Sequence, residues 1–112
     1  MINSDVIRGH IETIILKLLM EKDMYGYELV NVIKERTNNL FLIKEATLYA
    51  VLQRLEKKEL ISSYLGEKTF GGKRRYYQVS PLGRAYFKEM LSEWDMLRKI
   101  MFNMLGESNE QD

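Results

Sequence analysis

Residues 60–81 read LISSYLGEKTFGGKRRYYQVSP, and the order of residue types in this stretch decides the fold. Leu60-Ile61-Ser62-Ser63-Tyr64-Leu65 and Lys73-Arg74-Arg75-Tyr76-Tyr77-Gln78-Val79 are two short runs of strand-forming character. Gly71-Gly72 lies between them, and glycine supplies the positive φ that a tight turn needs, so the stretch predicts a β-hairpin. Ser80-Pro81 then opens a helix: the serine hydroxyl caps an orphan N–H, and proline suits the first helical position, where no N–H is required. That helix is expected to run to about Leu105, before Gly106 and a polar acidic tail, 107–112.

Upstream, apolar residues recur at helical spacing three times. Ile7, Ile11, Ile14, Ile15, Leu18 and Leu19 predict a first helix from Val6 to Met20, with Glu12 and Lys17 on its other side. Tyr25-Gly26-Tyr27 interrupts the pattern, and Leu29, Val32 and Ile33 predict a shorter second helix ending near the polar triplet Thr37-Asn38-Asn39. From Glu45 through Leu60, Leu48, Val51, Leu52 and Leu55 form the apolar face of a third helix. Three short helices followed by a basic hairpin is the element order of a winged helix-turn-helix. The expected class is therefore mainly α with a small β-hairpin (α+β): a winged helix-turn-helix in residues 1–80, one long helix in 81–106, and the tail.

Composition narrows the functions. The chain has 112 residues, 46% hydrophobic and 29% charged, with one proline, which is the balance of one folded, helix-rich domain. The absence of cysteine excludes disulfides and thiolate chemistry and permits a reducing compartment. Met1 to His10 lacks the residue order of a signal peptide, and the apolar runs are too short to span a bilayer, so a cytoplasmic protein with no membrane partner is expected. With His10 as the single histidine, and no serine in a strand-turn-helix elbow, neither catalysis nor a cofactor is expected. No metal site is expected either, because the acidic residues alternate with lysines along helices. Gly66 to Lys73 has a passing likeness to a phosphate loop, but Arg74 follows the lysine where serine or threonine is needed.

The formal net charge is only +1, yet it is unevenly spread. Residues 54–75 hold seven basic and three acidic side chains, whereas 1–53 and 76–112 are both slightly acidic. On the third helix the apolar face leaves Ala46, Ala50, Gln53 and Lys57 pointing outward, flanked by Thr47, Tyr49 and Arg54. Small alanines allow a helix backbone close to base pairs, Gln53 suits adenine, Arg54 suits guanine or phosphate, and the hydroxyls of Thr47 and Tyr49 suit phosphates. Lys73, Arg74 and Arg75 in the hairpin can track a DNA backbone or enter a narrow minor groove. Taken singly, such charges are ordinary solvated side chains; their joint placement points to double-stranded DNA. Tyr25 and Tyr27, beside a helix start, are read as packing residues first and phosphate contacts second.

The last helix carries Phe87, Met90, Trp94, Leu97, Met101 and Met104, spaced alternately by three and four, as in a coiled-coil seam. The stripe can pack back on the first helix, but about 24 residues span roughly 36 Å, longer than a small domain covers. A homodimer is therefore expected. Met90, Met96, Met101 and Met104 accompany the only tryptophan, and methionine-rich surfaces adapt to varied apolar ligands. Trp94 with Met90 is thus a candidate effector site, with filling of the dimer seam as the equal alternative for Trp94.

The sequence resembles the PadR family of bacterial transcriptional regulators in its compact form. The resemblance is carried by Tyr25-Gly26-Tyr27-Glu28-Leu29, Glu45-Ala46-Thr47-Leu48-Tyr49, Arg54-Leu55-Glu56 and Lys73-Arg74-Arg75-Tyr76-Tyr77, and covers nearly the whole chain. The family pattern has glycine where Ala46 stands, proline where Ala50 stands and glycine where Glu59 stands. The resemblance implies a dimeric winged-helix DNA-binding regulator, usually a repressor, sometimes released from its operator by a small molecule; a two-fold dimer, with recognition helices about 34 Å apart, predicts a palindromic operator. In compact members responsive to multiple drugs, a tryptophan placed like Trp94 stacks on flat ligands between subunits. The alternative from another class is a winged-helix module that binds a protein partner and ignores DNA.

Overall fold

Burial of the aliphatic stripes sets the architecture. A computed structural model describes residues 2–69 and 72–106. Phe70, Gly71 of the expected glycine turn, and the tail 107–112 lie outside the described residues. The chain forms α1 (Ser4–Ile7), a 3₁₀ turn (Arg8–His10), α2 (Ile11–Glu21), β1 (Met24–Tyr25), α3 (Gly26–Arg36), α4 (Glu45–Lys57), β2 (Ile61–Thr69), β3 (Gly72–Val79) and α5 (Pro81–Leu105). The first helix expected over Val6–Met20 is thus broken by the 3₁₀ turn that holds Gly9, where a residue without a side chain weakens helical continuity.

Ile15, Leu16 and Leu19 of α2, Leu29 of α3, and Leu48, Leu52 and Leu55 of α4 are essentially inaccessible to solvent. Val51 completes the expected apolar face of α4. Phe41 and Ile43, between α3 and α4, also enter this core. Removing such side chains from water is the main driving force for the fold, at about 1.5–3 kcal/mol for each large aliphatic residue.

The sheet has three antiparallel strands in the order β1-β3-β2, one more than the expected hairpin. Met24 pairs with Tyr77 and Tyr25 with Tyr76, so the segment read as an interruption is an edge strand too short to show any alternation. Met24, Ile61 and Tyr77 turn into the core. Between Leu65 and Lys68 the β2–β3 register shifts by one residue, a bulge that increases local twist. Gly66 sits there because a Cβ would fall 2.4 Å from the Tyr76 ring.

Turn chemistry closes the elements. Asn38, Asn39 and Glu59 all have positive φ. Asparagine tolerates that region, but Glu59, at φ +62°, occupies it where the family pattern has glycine. This residue ends α4 three positions before the expected Leu60 boundary, at Lys57. Ser80 caps α5 as expected, its Oγ accepting from the Gly83 N–H at 3.0 Å, with Pro81 at the helix start. The same hydroxyl donates to the Glu59 and Leu60 carbonyls, joining α5 to the end of α4.

Candidate nucleic-acid interface

The apolar face of α4 is anchored in the core, so its opposite face is presented to solvent. Ala46, Thr47, Tyr49, Ala50, Gln53, Arg54 and Lys57 are all exposed. Ala50, Gln53, Arg54, Glu56 and Lys57 line a shallow open concavity. Its two flanks differ. On one, the Tyr49 phenol lies over Gly26, where a Cβ would fall 2.2 Å from the hydroxyl oxygen; the glycine is what lets the ring settle against the start of α3.

On the other flank, Arg54 is not free. Its Nε donates to Glu12 Oε2 at 3.0 Å, Lys58 Nζ lies 3.5 Å from the same oxygen, and Tyr86 Oη donates to Oε1 at 3.1 Å. Glu12, read from the sequence as a solvent-side residue, is in fact largely covered, with 15% of its side chain exposed. Burial by itself would raise its pKa, but Arg54, Lys58 and Tyr86 together outweigh that and hold it below the ordinary value.

The wing cations separate. Side chains alternate across a strand, and Arg74 and Arg75 leave opposite faces of β3. Arg75 donates to Ser63 Oγ at 3.1 Å, and Ser63 donates to Glu56 of α4 at 3.0 Å, so Arg75 is chained to that helix. Arg74 lies over the Tyr25 ring, 4.4 Å from guanidinium carbon to centroid, a cation–π contact. Tyr25 meets Tyr76 edge-on, Tyr76 stacks on Tyr64, and Tyr64 donates to Asp23 at 2.6 Å. Lys73 is exposed beside this tyrosine row. Glu56 and Ser63 escaped sequence reasoning because their link to Arg75 crosses from helix to sheet; Tyr25 packs as expected, against Arg74 and Tyr76, whereas Tyr27, read the same way, is exposed.

On α5, the seam expected from spacing divides in two. Phe87 is buried in the protomer's own core and is not available to a partner, and Met90 is half-buried. Beyond them Trp94, Leu97, Met101 and Met104 are exposed, as are Leu91, Met96, Ile100, Phe102 and Leu105. Trp94 meets His10 edge-on, with ring centroids 5.5 Å apart.

Among the described residues no helix is long and apolar enough to cross a membrane. Residues 15–89 match the model of the transcriptional regulator PadR-like family. An uncharacterized protein of Lysinibacillus sphaericus is 56% identical over 101 residues, covering 90% of this chain and 93% of that one. The structure of a transcriptional regulator from Clostridium thermocellum is 47% identical, with a TM-score of 0.85 over 92% of this chain and 97% of the other. A PadR family transcription regulator from Clostridium difficile R20291 is 36% identical, with a TM-score of 0.74 over 87% and 99% of the two chains. A family match over residues 15–89, together with relatives of this similarity over nearly their full length, leaves one assignment: the chain belongs to the PadR-like family and is a transcriptional regulator, not an enzyme.

Proposed function

We propose that the protein binds a palindromic DNA operator as a homodimer and acts as a repressor. The carrying observation is the outer face of α4, where Ala46 and Ala50 leave the backbone bare on the N-terminal side of Gln53 and Lys57. A helix with that surface fits the major groove, with Gln53 reading an adenine edge and Lys57 on a phosphate. Thr47 and Tyr49 supply hydroxyls to the backbone from the flanks. Lys73, Arg74 and Arg75 serve the wing, Arg75 on the side of α4 and Arg74 from its seat on Tyr25. Arg54 offers DNA only the donors that Glu12 leaves it, since its Nε is held by that carboxylate. Pairing of two α5 helices along Met90, Trp94, Leu97, Met101 and Met104 sets the recognition helices about 34 Å apart, one turn of DNA.

The test is fluorescence anisotropy of the purified protein with DNA from upstream of its own gene and with a random-sequence duplex, at two salt concentrations. Specific binding that weakens steeply with salt is expected. A dimer that ignores both duplexes at low salt overturns the DNA reading and favours a protein-binding module. Trp94, half-exposed next to the half-buried Met90, supports a subsidiary reading in which a flat aromatic effector stacks there and releases the operator. Tryptophan fluorescence that stays unchanged across a panel of planar cations removes that effector.

A further inference from the structure

One carboxylate joins three helices. Glu12 of α2 takes Arg54 of α4 and Lys58, the residue capping its end, on one oxygen and Tyr86 of α5 on the other. Lys58 also lies over the Tyr86 ring, 5.6 Å from its centroid, so the same cation touches both the carboxylate and the phenol. These are the two cations on the α2 flank of α4, beside the outward-facing Gln53 and Lys57. A surface ion pair generally contributes little to stability, and the core already fixes α2 against α4 through Ile15, Leu16, Leu48 and Leu52. The pairing therefore matters for where charge is available.

Resting on the DNA-binding reading above, we propose that Glu12 is a positioning residue that sets specificity: it withholds Arg54 from DNA phosphates and ties that flank of α4 to α5 through Tyr86. Phosphate contacts give affinity to any sequence, whereas base-edge contacts discriminate. A cation neutralised within the protein releases no counterions from DNA, so binding to arbitrary sequence is held down while Gln53 is left to read bases. Through Tyr86, a displacement of α5 reaches the recognition helix without any contact between α5 and DNA.

The experiment compares wild type, Glu12→Gln and the Glu12→Gln, Arg54→Ala double variant. Salt dependence is measured on a random-sequence duplex and on DNA from upstream of the gene. Glu12→Gln is expected to tighten random-duplex binding, steepen the slope of log K against log salt by about one, as for one added phosphate contact, and shrink the ratio of specific to random affinity. The double variant is expected to return the slope to the wild-type value. An unchanged or shallower slope in Glu12→Gln overturns the proposal, because a residue that only braces the fold alters a melting curve and not the counterion count. Should Glu12→Gln fail to fold, the wild-type Arg54 Nε–Hε NMR cross-peak decides: on adding the random duplex it stays in place if Glu12 holds the arginine, and its displacement overturns the idea. Wild-type protein that binds neither duplex overturns the DNA reading itself, and this inference with it.

Discussion

The Cα of Gly83 faces the carbonyl oxygen of Leu60 so closely that a Cβ there would lie 2.1 Å from it. That oxygen already accepts from the N–H and the hydroxyl of Ser80, each at 3.0 Å, so it has no freedom to retreat. Gly83→Ala is expected to destabilise by about 2–3 kcal/mol or more, since overpacking against backbone is relieved only by moving α5. Gly26→Ala makes an equally short contact, but with the movable Tyr49 phenol. It is expected to cost under about 1 kcal/mol while weakening DNA binding by turning Tyr49 out. Urea denaturation of both variants checks the contrast, and equal losses would refute it.

Glu59 holds a left-handed conformation without the backbone freedom of glycine or the αL tolerance of asparagine. Glu59→Gly is expected to stabilise the protein by about 1 kcal/mol, the steric relief exceeding the extra entropy lost on folding glycine. Thermal melts of the two proteins decide the sign; a lower melting temperature would show that Glu59 is held by more than its backbone.

The wing arginines should not be equivalent. Arg75→Ala breaks the chain that runs through Ser63 to Glu56, a carboxylate lining the α4 concavity, and removes a positive charge from that side of the wing. It is expected to weaken DNA binding more than Arg74→Ala, by a further several-fold, corresponding to about 1 kcal/mol for an unbalanced charge near phosphates. Anisotropy titrations of the two single variants measure the difference.

Acid should loosen the joint between α2, α4 and α5. Glu12 has a pKa held below its ordinary value of 4.5. The stability it contributes is complete above that value and is lost as pH falls through the lower, folded one. Wild-type stability is expected to fall with acid below about pH 4.5 more steeply than that of Glu12→Gln. Glu21, lowered by Arg36, shares the direction but is solvent-exposed and common to both proteins. Parallel acid profiles would exclude Glu12 as a contributor.

Leu97→Glu with Met101→Glu places charges in the open part of the α5 stripe. A dimer is expected to become a monomer in sedimentation while retaining its helix-turn-helix, since neither residue reaches the core.

These expectations show which features the residues announce. The α4 core face and the Ser80-Pro81 start were legible because each rests on local periodicity or a local hydrogen bond. The edge strand Met24–Tyr25 was not, since two residues make no pattern and its partners lie more than fifty positions away. Glu12 had the same difficulty: on its own helix it looks solvated, and only the fold brings Arg54 and Tyr86 to it. Phe87 fits the heptad spacing as well as Leu97 does, but one stripe serves two surfaces as α5 leaves the domain. For the candidate interface, sequence supplied the residue types, and strand alternation then sent Arg74 and Arg75 different ways.

Every residue of α5 from Leu91 to Leu105 is exposed. An isolated helix of this length is marginal in water, and most helical stability comes from packing. On the dimeric reading, the outer part of α5 gains its packing only as chains meet, so its stability rises with protein amount. Occupancy of a two-site operator would then rise with more than the first power of cellular copy number, making the regulator a sensor of its own abundance.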